Sequence, residues 1–111
     1  MTIFSKIIKK EIPANIAYED GLCLAFHDIN PQAPVHLLII PKTTEIDRLS
    51  SAGENHKELL GHLLLTASKI AKDHNLTDYR LVINNGENAG QTVFHLHLHL
   101  MAGRPFDWPA G

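Results

Sequence analysis

Histidine and leucine alternate through His95-Leu96-His97-Leu98-His99-Leu100. A strict period of two is the side-chain repeat of a β-strand, so the run predicts a strand with its two faces sharply divided. Leu96, Leu98 and Leu100 turn toward a core, and the three imidazoles stand in a row on the opposite face. Thr, Lys or Glu would serve a plain solvated face. Imidazole titrates near neutral pH, attacks phosphorus and carbonyl centres, and binds metals.

A zinc site and a nucleophilic site are the two chemistries to weigh. At ~3.3 Å per residue, the first and third histidine Cα atoms lie ~13 Å apart. Three histidines in one strand therefore cannot wrap a metal that needs donors ~2.0–2.1 Å away. A zinc site would use two of them and a ligand from elsewhere. The preceding segment, Asn84-Asn85-Gly86-Glu87-Asn88-Ala89-Gly90-Gln91-Thr92, favours the second chemistry. It is a polar turn that offers backbone N–H groups, amides and a hydroxyl, which suit a phosphate oxyanion rather than a cation.

The run Gly90-Gln91-Thr92-Val93-Phe94-His95-Leu96-His97-Leu98-His99 resembles the histidine-triad motif, His-φ-His-φ-His with φ apolar. The chain is similar to the Hint branch of that superfamily, the purine-nucleotide-binding phosphoramidases. Phe4-Ser5-Lys6-Ile7-Ile8, Lys10-Glu11-Ile12-Pro13-Ala14, Ala25-Phe26-His27-Asp28-Ile29, Pro31-Gln32-Ala33-Pro34-Val35-His36 and Trp108-Pro109 match the branch in order and spacing. The resemblance covers nearly the whole chain, from about Thr2 to Gly111.

A length of 111 residues leaves room for one domain spanning residues 1–111. Hydrophobic residues make up 44% and charged residues 20%, an ordinary globular balance. The net charge of −2 argues against a general nucleic-acid binder, though not against a nucleotide. Cys23 is alone, so no internal disulfide is possible, and its apolar surroundings read as a buried inert thiol in a reducing compartment. No run approaches the ~20 apolar residues of a membrane span. Nor does the N-terminus carry a signal peptide's apolar region. These features read as a cytoplasmic protein with no membrane partner.

Along the chain, Ile3 to about Glu11 predicts a short amphipathic helix stopped before Pro13. Ile16 to Glu19 and Leu22 to His27 predict strands joined at Asp20-Gly21. A Pro-punctuated loop leads to a buried strand from Val35 to Pro41. Ser51-Ala52-Gly53-Glu54 has capping-box spacing and predicts the start of one long helix. Its apolar stripe is Leu59, Leu60, Leu63, Leu64, Ala67, Ile70 and Ala71, and Asn75 is its stop. Tyr79 to Asn84 and Phe94 to Met101 predict the last strands. Hairpins in place of βαβ units give an α+β fold with a five-stranded antiparallel sheet. The resemblance implies a homodimer that joins two such sheets.

A nucleophilic histidine needs one ring nitrogen free while an acceptor holds the other. The middle residue of the row is flanked on both sides and best oriented, and the resemblance also assigns His97 as nucleophile and carrier of a nucleotidyl intermediate. It makes His99 a donor to phosphate oxygen and His95 a support on the leaving-group side. His36 alone reads as a core histidine, but it matches the family's fourth histidine, which supports the nucleophile's relay. Asp28 could simply open a turn. The match favours a ribose clamp, with His27 in the same segment.

Ile3, Phe4, Ile7, Phe26 and Ile29 are core residues by default, and in the resembling fold members of this set sandwich the purine. Asn84 should contact the phosphate or leaving group. Gly90 and Gln91 shape the phosphate loop through backbone N–H groups. Thr92 stands where many Hint proteins have Ser, keeping the hydroxyl and adding a methyl. His56, His62 and His74 have no useful metal spacing.

The sequence thus reads as a hydrolase of purine nucleoside 5′-monophosphoramidates, adenosine or guanosine, that needs no metal or other cofactor. AMP and GMP are its expected ligands. A dinucleoside-polyphosphate hydrolase of the Fhit type, and a nucleotide-binding interaction module with incidental turnover, are the alternatives.

Overall fold

The computed structural model describes residues 1–111. Helix α1 (Ile3–Ile8) is followed by strands β1 (Ile16–Glu19), β2 (Cys23–His27) and β3 (Val35–Pro41), helix α2 (Lys57–Asp73), and strands β4 (Tyr79–Val82) and β5 (Leu98–Ala102). The fold is α+β. Its five strands form one sheet in the order β1-β2-β3-β5-β4, and every neighbouring pair is antiparallel. No helix is long and apolar enough to cross a membrane.

Both faces of the central strands are apolar because each face has its own cover. On β2 and β3, Cys23, Ala25, Leu37 and Ile39 join Leu63, Ala67 and Ile70 of α2 in one cluster. Leu24, Phe26, Leu38 and Ile40 point the other way and pack with Phe4 and Ile7 of α1. The period of two assigns each side chain to its layer. On β5, Leu98 and Leu100 enter the α2 layer with Leu96. His99 pairs with Leu38 and faces the α1 layer.

Several expected boundaries move: β2 opens at Cys23 rather than Leu22, β4 ends at Val82 rather than Asn84, and three larger shifts have identifiable causes. The triad run is only partly a strand: the ladder starts at Leu98, so His95 and His97 precede it. The alternation persists there without strand pairing, and the Leu96 N–H donates to the Ile46 carbonyl instead. Helix α1 ends earlier than Glu11, because Lys10 takes φ 62°. The Lys10 and Glu11 N–H groups then return to the Ile7 and Lys6 carbonyls, a Schellman closure. Helix α2 opens at Lys57 rather than at Ser51. The Ser51 hydroxyl donates to the Asp47 carboxylate, and two 3₁₀ turns, Leu49–Ser51 and Glu54–His56, fill the approach. At the far end Asn75, at φ 58°, closes α2 with the same Schellman pattern.

Candidate active site

A cleft of about 460 Å³ opens between α1 and the end of the sheet. Of the residues expected at the site, Ile3, Phe4, Ile7, Phe26, His27, Asp28, Ile29, His36, Thr92, His97 and His99 line it. Phe4 is the hub of the apolar wall, edge-on to Phe26 at 5.5 Å between centroids and to His97 at 5.1 Å. Ile29 sits at the rim, 96% exposed.

The hydrogen bonds fix the tautomers, because a backbone N–H only donates and a carbonyl only accepts. His97 Nδ1 lies 2.8 Å from the His95 carbonyl oxygen and must carry the proton. Neutral His97 therefore keeps its lone pair on Nε2. The Gln32 N–H donates to His36 Nδ1 at 3.0 Å, so the His36 proton is on Nε2. That Nε2–H donates to His99 Nδ1 at 2.9 Å. His99 must then carry its own proton on Nε2. The geometry yields one unprotonated ring nitrogen, on His97, and one N–H donor, on the neighbouring His99, with ring centroids 5.1 Å apart.

Burial keeps these rings neutral. It pulls the pKa values of His36, His95 and His97 below the ordinary 6.5. For His99, burial together with the neighbouring His97 and His36 brings the value to about 4. A buried imidazole loses hydration that only its charged form needs. The Asp28 carboxylate opposes the shift; one oxygen lies 3.5 Å from His36 Nε2, and the other accepts the Asn30 N–H.

Four expected contributors lie elsewhere. The His95 ring is buried away from the cleft, and its Nε2–H donates to the Pro41 carbonyl at 2.8 Å. It borders a separate hollow with Thr2, Lys9 and Thr44. The Gly90 and Gln91 N–H groups, expected to face phosphate, already donate to Glu87 and Gly86 within their own turn. The Gln91 side chain is 1% exposed and ties that turn to Asp47 and Val93. Asn84 lies beside Gly90, outside the cleft lining.

The lining also includes Ile12, Pro13, Ala14, Asn30, Gln32, Leu38 and Val93. Leu38 was legible in principle, since it shares strand parity with His36. Ile12, Pro13 and Ala14 arrive through a coil with no periodicity to read.

A model of the HIT domain family matches residues 9–106. An uncharacterized HIT-like protein of Synechocystis sp. is 63% identical, with 99% of this chain and 96% of that protein covered. A 14 kDa zinc-binding protein of Zea mays is 54% identical over 99% of this chain and 88% of its own. The crystal structure of a HIT family hydrolase from Legionella pneumophila superposes with a TM-score of 0.96 at 46% identity, covering 100% of both chains. A histidine triad protein from Clostridium difficile gives 0.90 at 39%, covering 95% of this chain and 92% of the other. The chain belongs to the HIT domain family.

The maize protein's name invites a test of zinc. Asp28, His36 and His99 bring three possible ligand atoms within 4.8 Å of one another. Zinc between His36 Nε2 and His99 Nδ1 would need a lone pair on each. The His36 proton would move to Nδ1 and confront the Gln32 N–H, donor against donor. Asp20, Cys23 and His62 form a second cluster. There the Asp20 oxygens already accept from the Leu22 and Cys23 N–H groups, the Tyr18 hydroxyl and His62 Nε2. Burial pushes the Cys23 thiol up to about 11. Neither donor set fits zinc as built, and the second braces α2 against the β1–β2 turn.

Proposed function

We propose that the chain is a phosphoramidase of the Hint branch, a hydrolase that cleaves the P–N bond of purine nucleoside 5′-monophosphoramidates. The observation that carries this reading is the His97 Nδ1–H bond to the His95 carbonyl, which leaves the Nε2 lone pair in the cleft. His97 Nε2 attacks the α-phosphorus, the P–N bond breaks, and the departing amine takes up a proton from water. The ring holds the nucleotidyl group on Nε2 and keeps its proton on Nδ1. The hydroxide left by that proton transfer then attacks phosphorus and breaks the Nε2–P bond, releasing AMP or GMP and returning neutral His97. The His99 Nε2–H and the Thr92 hydroxyl donate to phosphate oxygens as charge develops. Asp28 accepts from the two ribose hydroxyls. Phe4, Phe26, Ile3, Ile7 and Ile29 hold the base through apolar contact, which needs few base-edge hydrogen bonds and admits adenine or guanine. This chemistry draws on no metal.

Two further features support a homodimer. Strand β4 is an unpaired edge of the sheet, and Leu64 and Leu65 on α2 are 48% and 73% exposed. A second copy that covers both would extend the sheet.

Turnover of adenosine and guanosine 5′-phosphoramidates beside diadenosine polyphosphates tests the reading. Preferred cleavage of the phosphoramidates is expected. Faster cleavage of the polyphosphates would replace the reading with the Fhit type, and binding of AMP with no turnover of either would leave a nucleotide-binding module.

A further inference from the structure

The path from His99 through His36 to Gln32 does not end at Gln32. The segment after β5 folds back on the same loop. Gly103 takes φ 95°, and a Cβ built on it would lie 2.8 Å from Pro34 Cβ, so the turn sits hard against the loop. The next residue, Arg104, donates from Nε to the Gln32 carbonyl at 3.0 Å. Its guanidinium is itself held, with Nη1–H on the Pro105 carbonyl and its plane 4.3 Å from the Phe106 ring centroid. Gln32 is thus gripped on its carbonyl by Arg104 while its N–H grips His36 Nδ1.

The geometry points to Arg104 as a positioning residue for the phosphate donor. It lines no part of the cleft. It acts by holding the loop of residues 30–34, a surface segment whose Gln32 N–H selects the Nε2–H tautomer of His36. That tautomer dictates the state of His99, because two facing ring nitrogens cannot both be donors or both be acceptors. With Gln32 in place, His36 donates and His99 accepts on Nδ1, which puts the His99 proton on Nε2. With Gln32 released, His36 is free to protonate Nδ1 and accept on Nε2. His99 then protonates Nδ1 and turns a bare lone pair, not an N–H, toward phosphate oxygen. The Arg104 bond therefore acts together with the Asp28 oxygen, 3.5 Å from His36 Nε2, in keeping a donor rather than an acceptor beside the nucleophile. The energetic logic is that of a ligand held in one tautomer by a partner behind it.

The inference rests on the role given to His99 in the proposed function, but its first test does not. Nuclear magnetic resonance of the nucleotide-free full chain, labelled with ¹⁵N-histidine and held near pH 7.5, reads each ring's tautomer directly. Wild type should show His36 and His99 both as Nε2–H and His97 as Nδ1–H. In Arg104→Ala, His36 and His99 should shift together toward Nδ1–H, with His97 unchanged. Arg104→Lys keeps a cationic donor for the Gln32 carbonyl and should fall between the two. Arg80→Ala removes the other cation packed on Phe106, at 5.2 Å, and should leave all three rings as in wild type.

Unchanged His36 and His99 in Arg104→Ala would overturn the inference. So would an equal shift in Arg80→Ala, since the tail's anchoring alone would then explain it. On adenosine phosphoramidate, Arg104→Ala should lose about tenfold in kcat with less than about threefold change in KM, a partial loss of one oxyanion donor. Shifted tautomers with unchanged kcat would support the path to His99 and overturn the donor role assigned to His99 in the proposed function.

Discussion

His97 donates from Nδ1 to the main-chain carbonyl of His95, two residues earlier, at 2.8 Å. The role of His95 is therefore split. Its backbone orients the His97 ring, the proposed nucleophile, while its own ring, 2% exposed, bonds to Pro41 O behind the cleft. Removing the ring should cost stability more than chemistry. His95→Ala leaves a cavity and an unpaired carbonyl, and should destabilise by about 3 kcal/mol. Its turnover should stay well above that of His97→Ala. Denaturant unfolding and steady-state hydrolysis, run on the same preparation, check both halves. A stable variant as inactive as His97→Ala would place the His95 ring in the chemistry.

The neutral imidazoles set a pH window. Burial, the first cause in each case, lowers the folded pKa of His36, His95, His97 and His99 below 6.5, with His99 at about 4. Above 6.5 neither the folded nor the unfolded state protonates these rings, and their burial carries no pH penalty. As pH falls from about 6.5 toward 4, the unfolded chain takes up protons that the folded chain refuses, so stability falls. The thermal midpoint should be flat above about pH 6.5 and drop below it. The Asp20 carboxylate adds a later loss. Burial alone would raise its pKa, but the Leu22 and Cys23 N–H groups, Tyr18 and His62 hold it well below 3.8, so its contribution is full above 3.8 and disappears under it. Activity should follow the same sign. The acid limb of kcat/KM reports neutral His97 in the free enzyme and should have its midpoint below 6.5. A midpoint above 6.5 would contradict a buried, neutral nucleophile.

Much of this arrangement was legible in the chain. Strand β3 emerges with the boundaries its apolar run implies, Val35 to Pro41, because a central strand has no solvent face to blur its ends. Asn75 stops α2 as expected, since its side chain tolerates the left-handed backbone that a Schellman closure requires. Ser51 misled because its hydroxyl donates to Asp47, four residues earlier, and it closes a 3₁₀ turn ahead of the helix. The cleft was harder to read. His97 and His99 share a face by period alone, yet the carbonyl and the N–H that set their tautomers belong to the main chain, which the sequence does not distinguish. The same blindness placed the Gly90 and Gln91 N–H groups at the phosphate, when their own 3₁₀ turn consumes them. His95 shares the period of its neighbours, but its ring bonds to the Pro41 carbonyl behind the cleft.

Metal removal is a separate test. Excess chelator should leave phosphoramidase turnover unchanged, because the lone pair on His97 and the donor on His99 are set by protein groups. Loss of turnover on chelation, restored by stoichiometric zinc, would contradict this.

The tail gives a prediction for selectivity. Phe106 is held between Arg80 and Arg104, whereas Trp108 is 84% exposed. An indole so exposed in one chain finds cover against the partner in the proposed homodimer. Deleting residues 107–111 keeps Phe106 and the Arg104 stack, and should change the ranking of amine leaving groups more than the unfolding midpoint. A monomer by sedimentation, or an unaltered ranking after the deletion, would count against the tail's role.

His97→Ala separates binding from bond cleavage most directly. The substitution removes the attacking nitrogen and leaves Asp28, Phe26, Thr92 and the His99–His36 pair in place. Calorimetry should find AMP or GMP bound within about tenfold of wild type, about 1.4 kcal/mol. Hydrolysis of adenosine 5′-phosphoramidate should fall by about 10⁴-fold or more, since only the covalent step needs that nitrogen. Near-normal turnover by His97→Ala would contradict the assignment of His97 as nucleophile, and with it the proposed reaction.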